Sequence, residues 1–376
     1  MKTSSWLGIA CSGVLVGTLV AADPTPAMGG EVDANAVARI GEMSVARAAH
    51  KATQLESGEV LITGGCSGRC DRGLSSTERF VPGTRRFVPS AAMAIARDSH
   101  AAIALADGRV LVAGGWSDQR ATDHAEVFDP RASRFIVVGA MTTARASASA
   151  SLLRDGRVLL AGGQTSAFEP LASAEVFDPA TSTFSPMNSM NVARVGHVAV
   201  VLDDGRVLIV GGRPSRRGEI LRSAEVFDPV GGQFQATGSM LSPRHKHAAA
   251  LLPDGRVLII GGSDARDQAG RYRSTEIFDP SSGTFTAGPQ MNWPRFKFAD
   301  SVVTLPSGAI LVAGGAVQWE IHDPRTRAFK VIAGDMGTSP EFATATRLPN
   351  GDVLLIGGYD DQIRTSASAW LVRAPH

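Results

Sequence analysis

An excess of either charge is what this chain most plainly lacks: 37 Lys and Arg against 36 Asp and Glu leave a formal net charge of +1. A general nucleic-acid binder carries a strong basic excess, so that class is set aside. Cysteine is scarce, with only Cys11, Cys66 and Cys70, and no Cys-x-x-Cys spacing that would read as a dithiol redox centre. No Gly-x-Ser-x-Gly elbow occurs, which removes the hydrolases built on that turn. Long apolar runs are missing after residue 22, so nothing beyond that point is long enough to cross a bilayer.

The one apolar run, Trp6 to Ala22, follows Lys2, is broken by Gly8, Ser12, Gly13 and Gly17, and ends in Val20-Ala21-Ala22. A short interrupted run ending in small residues reads as an export signal over 1–22 rather than a membrane anchor. Cys11 lies inside the run and is not placed for lipid attachment. Residues 23–35 read as a linker. The expected setting is therefore secreted or periplasmic.

What fills the rest is repetition. Gly pairs stand at 64–65, 114–115, 162–163, 211–212, 261–262, 314–315 and 357–358, each closing an aliphatic run, so seven units follow one another at a period near fifty residues. Each unit reads as four short strands. The first is small and apolar, as in Ser147 to Ser151 or Ala248 to Leu252. An Asp-Gly turn at 107, 155, 204 or 254 joins it to the second, and a hairpin turn with both central residues at positive φ is expected there. The third is Glu-Val-Phe-Asp at Glu126, Glu175 and Glu225, with Glu276 its variant, stopped by proline. The fourth opens on an aromatic such as Phe135 or Phe184 and closes on a Met such as Met141 or Met190.

A four-stranded sheet cannot bury both faces alone, so its neighbours must cover it, and radial stacking about an axis follows. Small residues belong at the crowded axis and Phe farther out. The predicted fold is all-β: a seven-bladed β-propeller of four-stranded antiparallel blades over residues 36–373. The chain reaches a third-strand position at Trp370-Leu-Val372 with no fourth strand after it, while Val37 to Met43 carries a fourth-strand pattern before the first unit. Residues 36–46 are thus expected to supply the outer strand of blade 7, closing the ring and removing a free edge.

The order of aliphatic strand, Gly-Gly, polar loop, Glu-Val-Phe-Asp-Pro, aromatic and Met-x-x-x-Arg resembles kelch repeats, and Asp-Gly-Arg-Val-Leu-x-x-Gly-Gly is similar to their bacterial, galactose-oxidase-like branch. The usual kelch Trp is Phe here. The resemblance implies a propeller but no single function, since one fold carries many. In galactose oxidase a copper ion is held by Tyr and His, with one Tyr cross-linked to Cys. This chain has only Tyr272 and Tyr359, and Cys66 and Cys70 share one loop, so no copper or other cofactor is expected. His50, His100, His197 and His247 occupy one repeat slot and read as structural, with no metal assigned. Cys66 and Cys70 read as a loop-stiffening disulfide in an exported protein.

Arg47, Arg97, Arg145, Arg194 and Arg244 each stand seventeen residues before a Gly pair, with Arg295 at the matching place in the sixth unit. Two readings stay open. Each Arg could pair with the repeated third-strand Glu as scaffold, or the six could ring one mouth of the channel and bind carboxylates, sulfates or phosphates through guanidinium forks. The loops after the Gly pairs are expected on the same face, and the fourth brings Arg213, Arg216, Arg217 and Arg222. Trp319 sits in the short sixth loop and is expected at the rim.

The preferred functional reading is a monomeric, exported binding module that recognises a protein segment or an anionic glycan at this loop-bearing face. The alternative is a carbohydrate-active enzyme, a sugar mutarotase or oxidase-like protein, using the same mouth. Its candidate acids and bases are Glu341, beside the slot where the seventh unit lacks its Arg, together with His245 or Glu219.

Overall fold

The computed structural model describes residues 37–373. The expected export signal over 1–22 and the linker over 23–35 lie outside the described residues. No described helix is long and apolar enough to cross a membrane.

Among the described residues the chain forms seven four-stranded antiparallel sheets, each running in chain order from the axis outward, except the last. In blade 4 the strands are Val198–Val201, Val207–Val210, Ser223–Asp228 and Gln233–Ser239. Blade 7 is built from Thr344–Arg347, Val353–Ile356 and Ser368–Val372, and its outermost strand is Val37–Glu42, paired antiparallel to Ser368–Val372 with a bulge between Arg39 and Gly41. The ring closes as the strand patterns require, and the extra strand covers the edge that blade 7 would otherwise expose.

Packing follows from the patterning. The second strands, such as Val257–Ile260, are buried at every residue because both of their faces meet neighbouring blades. Seven apolar layers result, one at each blade interface; the layer between blades 4 and 5 joins Leu208, Val210 and Val226 to Val257, Ile259 and Phe278. Third and fourth strands place ring against ring at the wide end of blades 1 to 6, as in Phe177 and Phe184 with centroids 4.9 Å apart, and His322 stands in for the first ring in blade 6.

The Asp-Gly turns correct one expectation. Gly108 is at φ +84°, but Asp107 is not in the left-handed region, and Leu105 accepts the Gly108 N–H at 3.1 Å. This is an ordinary turn followed by a left-handed glycine, not a hairpin turn with two positive angles. Asp107 is free to adopt it because its carboxylate accepts the Arg109 backbone N–H at 3.0 Å.

The Gly pairs are fixed by close approach from the next blade. A Cβ on Gly162 would stand 2.6 Å from the Arg194 carbonyl oxygen and 2.7 Å from the His197 ring. Backbone cannot yield there, so only glycine fits. The histidines of this slot are wedges between blades: His50 bonds Thr344 at 2.8 Å, His100 bonds Thr63 at 2.9 Å and His197 bonds Ser149 at 3.0 Å, each on the preceding blade.

Candidate functional site

Six blades spend their repeated arginine inside the fold. Arg47, Arg97, Arg145, Arg194, Arg244 and Arg295 are at most 1% exposed. They pair with Glu78, Glu126, Glu175, Glu225, Glu276 and Glu320 at 2.7 to 3.0 Å. Each guanidinium also donates to the first glycine carbonyl of its blade, as Arg145 does to Gly162 at 2.9 Å. The glutamate's second oxygen accepts a backbone N–H from the segment arriving from the previous blade, such as Thr142 at 2.6 Å onto Glu175. The cluster therefore staples strand, glycine pair and inter-blade connection. Blade 7 loses both partners together: Pro340 stands in the Arg slot, and Trp370 opposite Leu355 stands where Glu175 is opposite Leu160.

Of the two readings left open, pairing with the third-strand glutamate is the one observed, and a ring of ligand-binding arginines at the mouth is not. Their donors are turned into the blades, out of reach of a ligand at the mouth. Trp319 is a correction: it is 0% exposed and packs with Leu355 and Trp370 between blades 6 and 7, because it directly precedes Glu320 and so takes the buried third-strand slot that Ala174 holds before Glu175. Arg217, Arg222 and Glu219 remain exposed on the blade-4 loop, where Arg222 donates to the Met240 carbonyl at 3.0 Å. Cys66 and Cys70 are bonded to each other in the blade-1 loop.

The residue two places after each Arg forms the real mouth. Ala49, Ser99, Ser147, Gly196, Lys246, Lys297 and Phe342 all have φ between +49° and +67°. Backbone hydrogen bonds of 2.7 to 3.1 Å join neighbours around the axis, as from Lys297 N–H to the Lys246 carbonyl. A left-handed backbone costs a side chain about 1 kcal/mol or more relative to glycine. Only Gly196 escapes that cost; blades 1, 2 and 3 carry Ala, Ser and Ser, while blades 5, 6 and 7 carry Lys, Lys and Phe.

Below this ring lies a cavity of about 470 Å³. Lys51, Lys246 and Lys297 all line it, with Ser99, Phe342 and Thr344. The sequence has 37 basic residues, and only five of them are lysines. Three of those five thus converge on one space. Lys297 donates to Glu341 at 2.9 Å and to the Tyr359 hydroxyl at 3.0 Å. Burial opposes its charge, but Tyr359 and Glu341 outweigh that and hold its pKa above the ordinary lysine value. Lys246 sits 3.8 Å from Asp267, and both lysines lie about 5 Å from the Phe296 ring. Burial brings the Lys246 pKa down to about 8, with Asp267 opposing. Lys51 reaches past blade 7 to Asp300 of blade 6 at 2.8 Å, so this pair struts the channel beneath the mouth.

Of the candidate acids and bases, the structure brings Glu341 and His245 to this mouth. His245 is 2% exposed and its Nε2 lies 3.0 Å from Asp267 Oδ1, an approach too bent to count as a hydrogen bond. Burial lowers its pKa. Asp98 occupies the same slot on blade 2, across the ring, and burial pushes its carboxyl up to about 6 against the Ser99 hydroxyl bond. Lys51, Lys297 and Asp98 carry no repeat signature that would single them out; the scarcity of lysine could have found the first two.

The kelch motif family model matches residues 99–142, 145–191, 194–241 and 244–292, half of the chain. The chain belongs to the kelch-repeat family, and its fold is the seven-bladed propeller of that family. No curated protein sequence matches it significantly. Among solved structures it resembles a fungal alcohol oxidase of the AA5 family in complex with copper, at 17% identity and a TM-score of 0.71, over 89% of this chain and 75% of that one. At that identity the likeness concerns the fold.

Proposed function

We propose that this kelch propeller is an exported, non-catalytic binding module that takes an anionic group of a protein segment or glycan into the axial cavity. The carrying observation is the asymmetry of the axial ring: two lysines on adjacent blades, with Phe296, Phe342 and Tyr359 around them, where four other blades hold Ala, Ser, Ser and Gly. An ammonium on a flexible stem suits a carboxylate or sulfate whose approach is not fixed, and the rings supply apolar contact for the carrier. Arg213 of blade 4 adds positive field near Lys246. The Cys66–Cys70 bond fits an oxidising compartment.

Binding to a panel of anionic glycans and acidic peptides tests this reading, with the double variant Lys246→Ala, Lys297→Met as control. The expected result is a bound ligand whose affinity falls at least about tenfold in the variant and weakens with salt. An affinity that ignores both changes would refute it.

The carbohydrate-active alternative is favoured by one observation, the gathering of Glu341 and Tyr359 on Lys297 and of Asp267 near His245 and Lys246. The copper of the fungal oxidase does not fit the donors present. Among the described residues no three of His, Cys, Asp and Glu converge to hold a metal. Tyr359 is engaged by Lys297, Tyr272 lies 4.9 Å from the Arg244 guanidinium, and both loop cysteines are consumed by their own bond.

A further inference from the structure

The three cavity lysines are not equivalent. Lys51 donates to both oxygens of Asp300, at 2.9 and 2.8 Å. Lys297 is held between Glu341 and Tyr359. Lys246 has neither arrangement: its nearest acid is Asp267 at 3.8 Å, and the face of Phe296 lies 5.1 Å from its nitrogen. The Lys297 ammonium stands 5.2 Å from the same ring, so two cations share one aromatic wall, of which one is clamped in its charged form.

We infer that Lys246 is a nucleophilic amine, and that the cavity captures a small aldehyde or keto compound bearing a carboxylate as an imine on its Nζ. The inference deepens the binding reading and rests on the cavity being a ligand site. The neutral nitrogen attacks the carbonyl carbon, forming a C–N bond. A proton passes from nitrogen to the former carbonyl oxygen, and loss of water leaves the C=N bond. No oxidant or reductant is needed. The ligand's carboxylate balances the cationic wall, which is where Lys297 and Arg213 act.

The charged groups around Lys246 decide how much free amine exists. Burial, Lys297 and Arg213 disfavour its ammonium form, while Asp267 and Glu341 favour it, and His245 is the adjoining residue. The balance leaves its pKa at about 8, so near that pH roughly half of the side chain is nucleophilic, against well under a hundredth for an unperturbed lysine. A neighbouring cation that depresses a lysine in a partly apolar pocket is a recognised route to an amine that condenses with carbonyls. Water still reaches about a third of the side chain, 34%, so a small ligand has a path in.

The test is reductive trapping of the intact chain with glyoxylate and borohydride, followed by peptide mass mapping. Lys246 is expected to carry the adduct on the order of tenfold faster than Lys330, whose side chain on the outer strand of blade 6 is 40% exposed, and its rate should be half-maximal near pH 8 and level off above it. Lys297→Met should move that rise to higher pH, because it removes a cation and leaves Glu341 unpaired beside Lys246. Lys246→Arg keeps the cation, lacks a condensing amine and should abolish the adduct. Labelling of Lys330 as fast as Lys246, or a Lys246 rate indifferent to Lys297→Met in a variant that melts normally, overturns the inference. Loss of anion binding in the double variant with no adduct in the parent would sink this proposal and leave the binding reading standing.

Discussion

Arg244 and Lys246 are two residues apart, yet they belong to opposite uses of positive charge. The guanidinium turns into the blade, where its donors meet Glu276, Gly261 and Ser274. The ammonium turns toward the axis and keeps no hydrogen-bonded partner beyond the 3.8 Å approach to Asp267. A planar fork with five donors can be satisfied inside a protein, and a compact titratable charge is better kept where water and ligands reach it. The six arginines are thus architecture and the cavity lysines are equipment, although a count of basic residues treats them alike.

The comparison breaks most visibly at the staple. Arg145→Met leaves Glu175 buried with its partner gone, and a loss of about 3–5 kcal/mol is expected in denaturant unfolding. Arg145→Met with Glu175→Met should recover much of it, since blade 7 already lives with Pro340 and Trp370 in those slots. If the double variant is no better than the single one, the pair is not the unit argued here. Anion binding at the mouth should survive in whichever variant folds.

A smaller effect separates the two regions by pH. His100 and His247 are buried and held well below the ordinary histidine pKa by burial and by Arg97 or Arg244, and burial brings His197 to about 3. The unfolded chain takes up protons on these rings below about pH 6.5 while the folded one does not, so stability falls as pH drops through that range. Each such histidine contributes at most about 1.4 kcal/mol per pH unit. Asp98, raised to about 6, works the other way between its folded and unfolded values and offsets part of one slope. His197→Gln should flatten the acid limb of a plot of unfolding free energy against pH; an unchanged slope would show that His197 is not a neutral wedge.

The architecture was legible because repetition says the same thing seven times. Strand order, the wedge of Phe rings and the closure by Val37–Glu42 all follow from slots that recur. Even the arginine staple was written there, in that Arg145 recurs with Glu175 and that blade 7 drops both. The mouth was not legible by that route, because it consists of departures from the repeat. Lys246 and Lys297 replace Ala or Ser at single positions, and their partners Asp267 and Tyr359 come from loops with no common pattern. Trp319 misled because it belongs to the buried slot before the third-strand glutamate, where the other blades carry a small residue, and not to the loop. The proposed site sits where the repeats disagree, and the rarity of lysine among many arginines is the one compositional trace of it.

The smallest effect carries the sharpest contrast. Lys246 has φ +49° in a ring whose geometry is imposed by seven blades, and blade 4 solves the same slot with Gly196 at φ +67°. An ordinary surface lysine changed to glycine loses stability relative to alanine, because glycine gains more freedom in the unfolded chain. At Lys246 the order should reverse, with Lys246→Gly more stable than Lys246→Ala by about 1 kcal/mol, since alanine retains the left-handed strain and glycine does not. Both variants should lose the anion affinity to a similar extent. Thermal melts and binding on the same two proteins measure this directly: an alanine variant as stable as the glycine one would show that the left-handed slot is not strained, and an anion affinity that survives in both would remove Lys246 from the binding site.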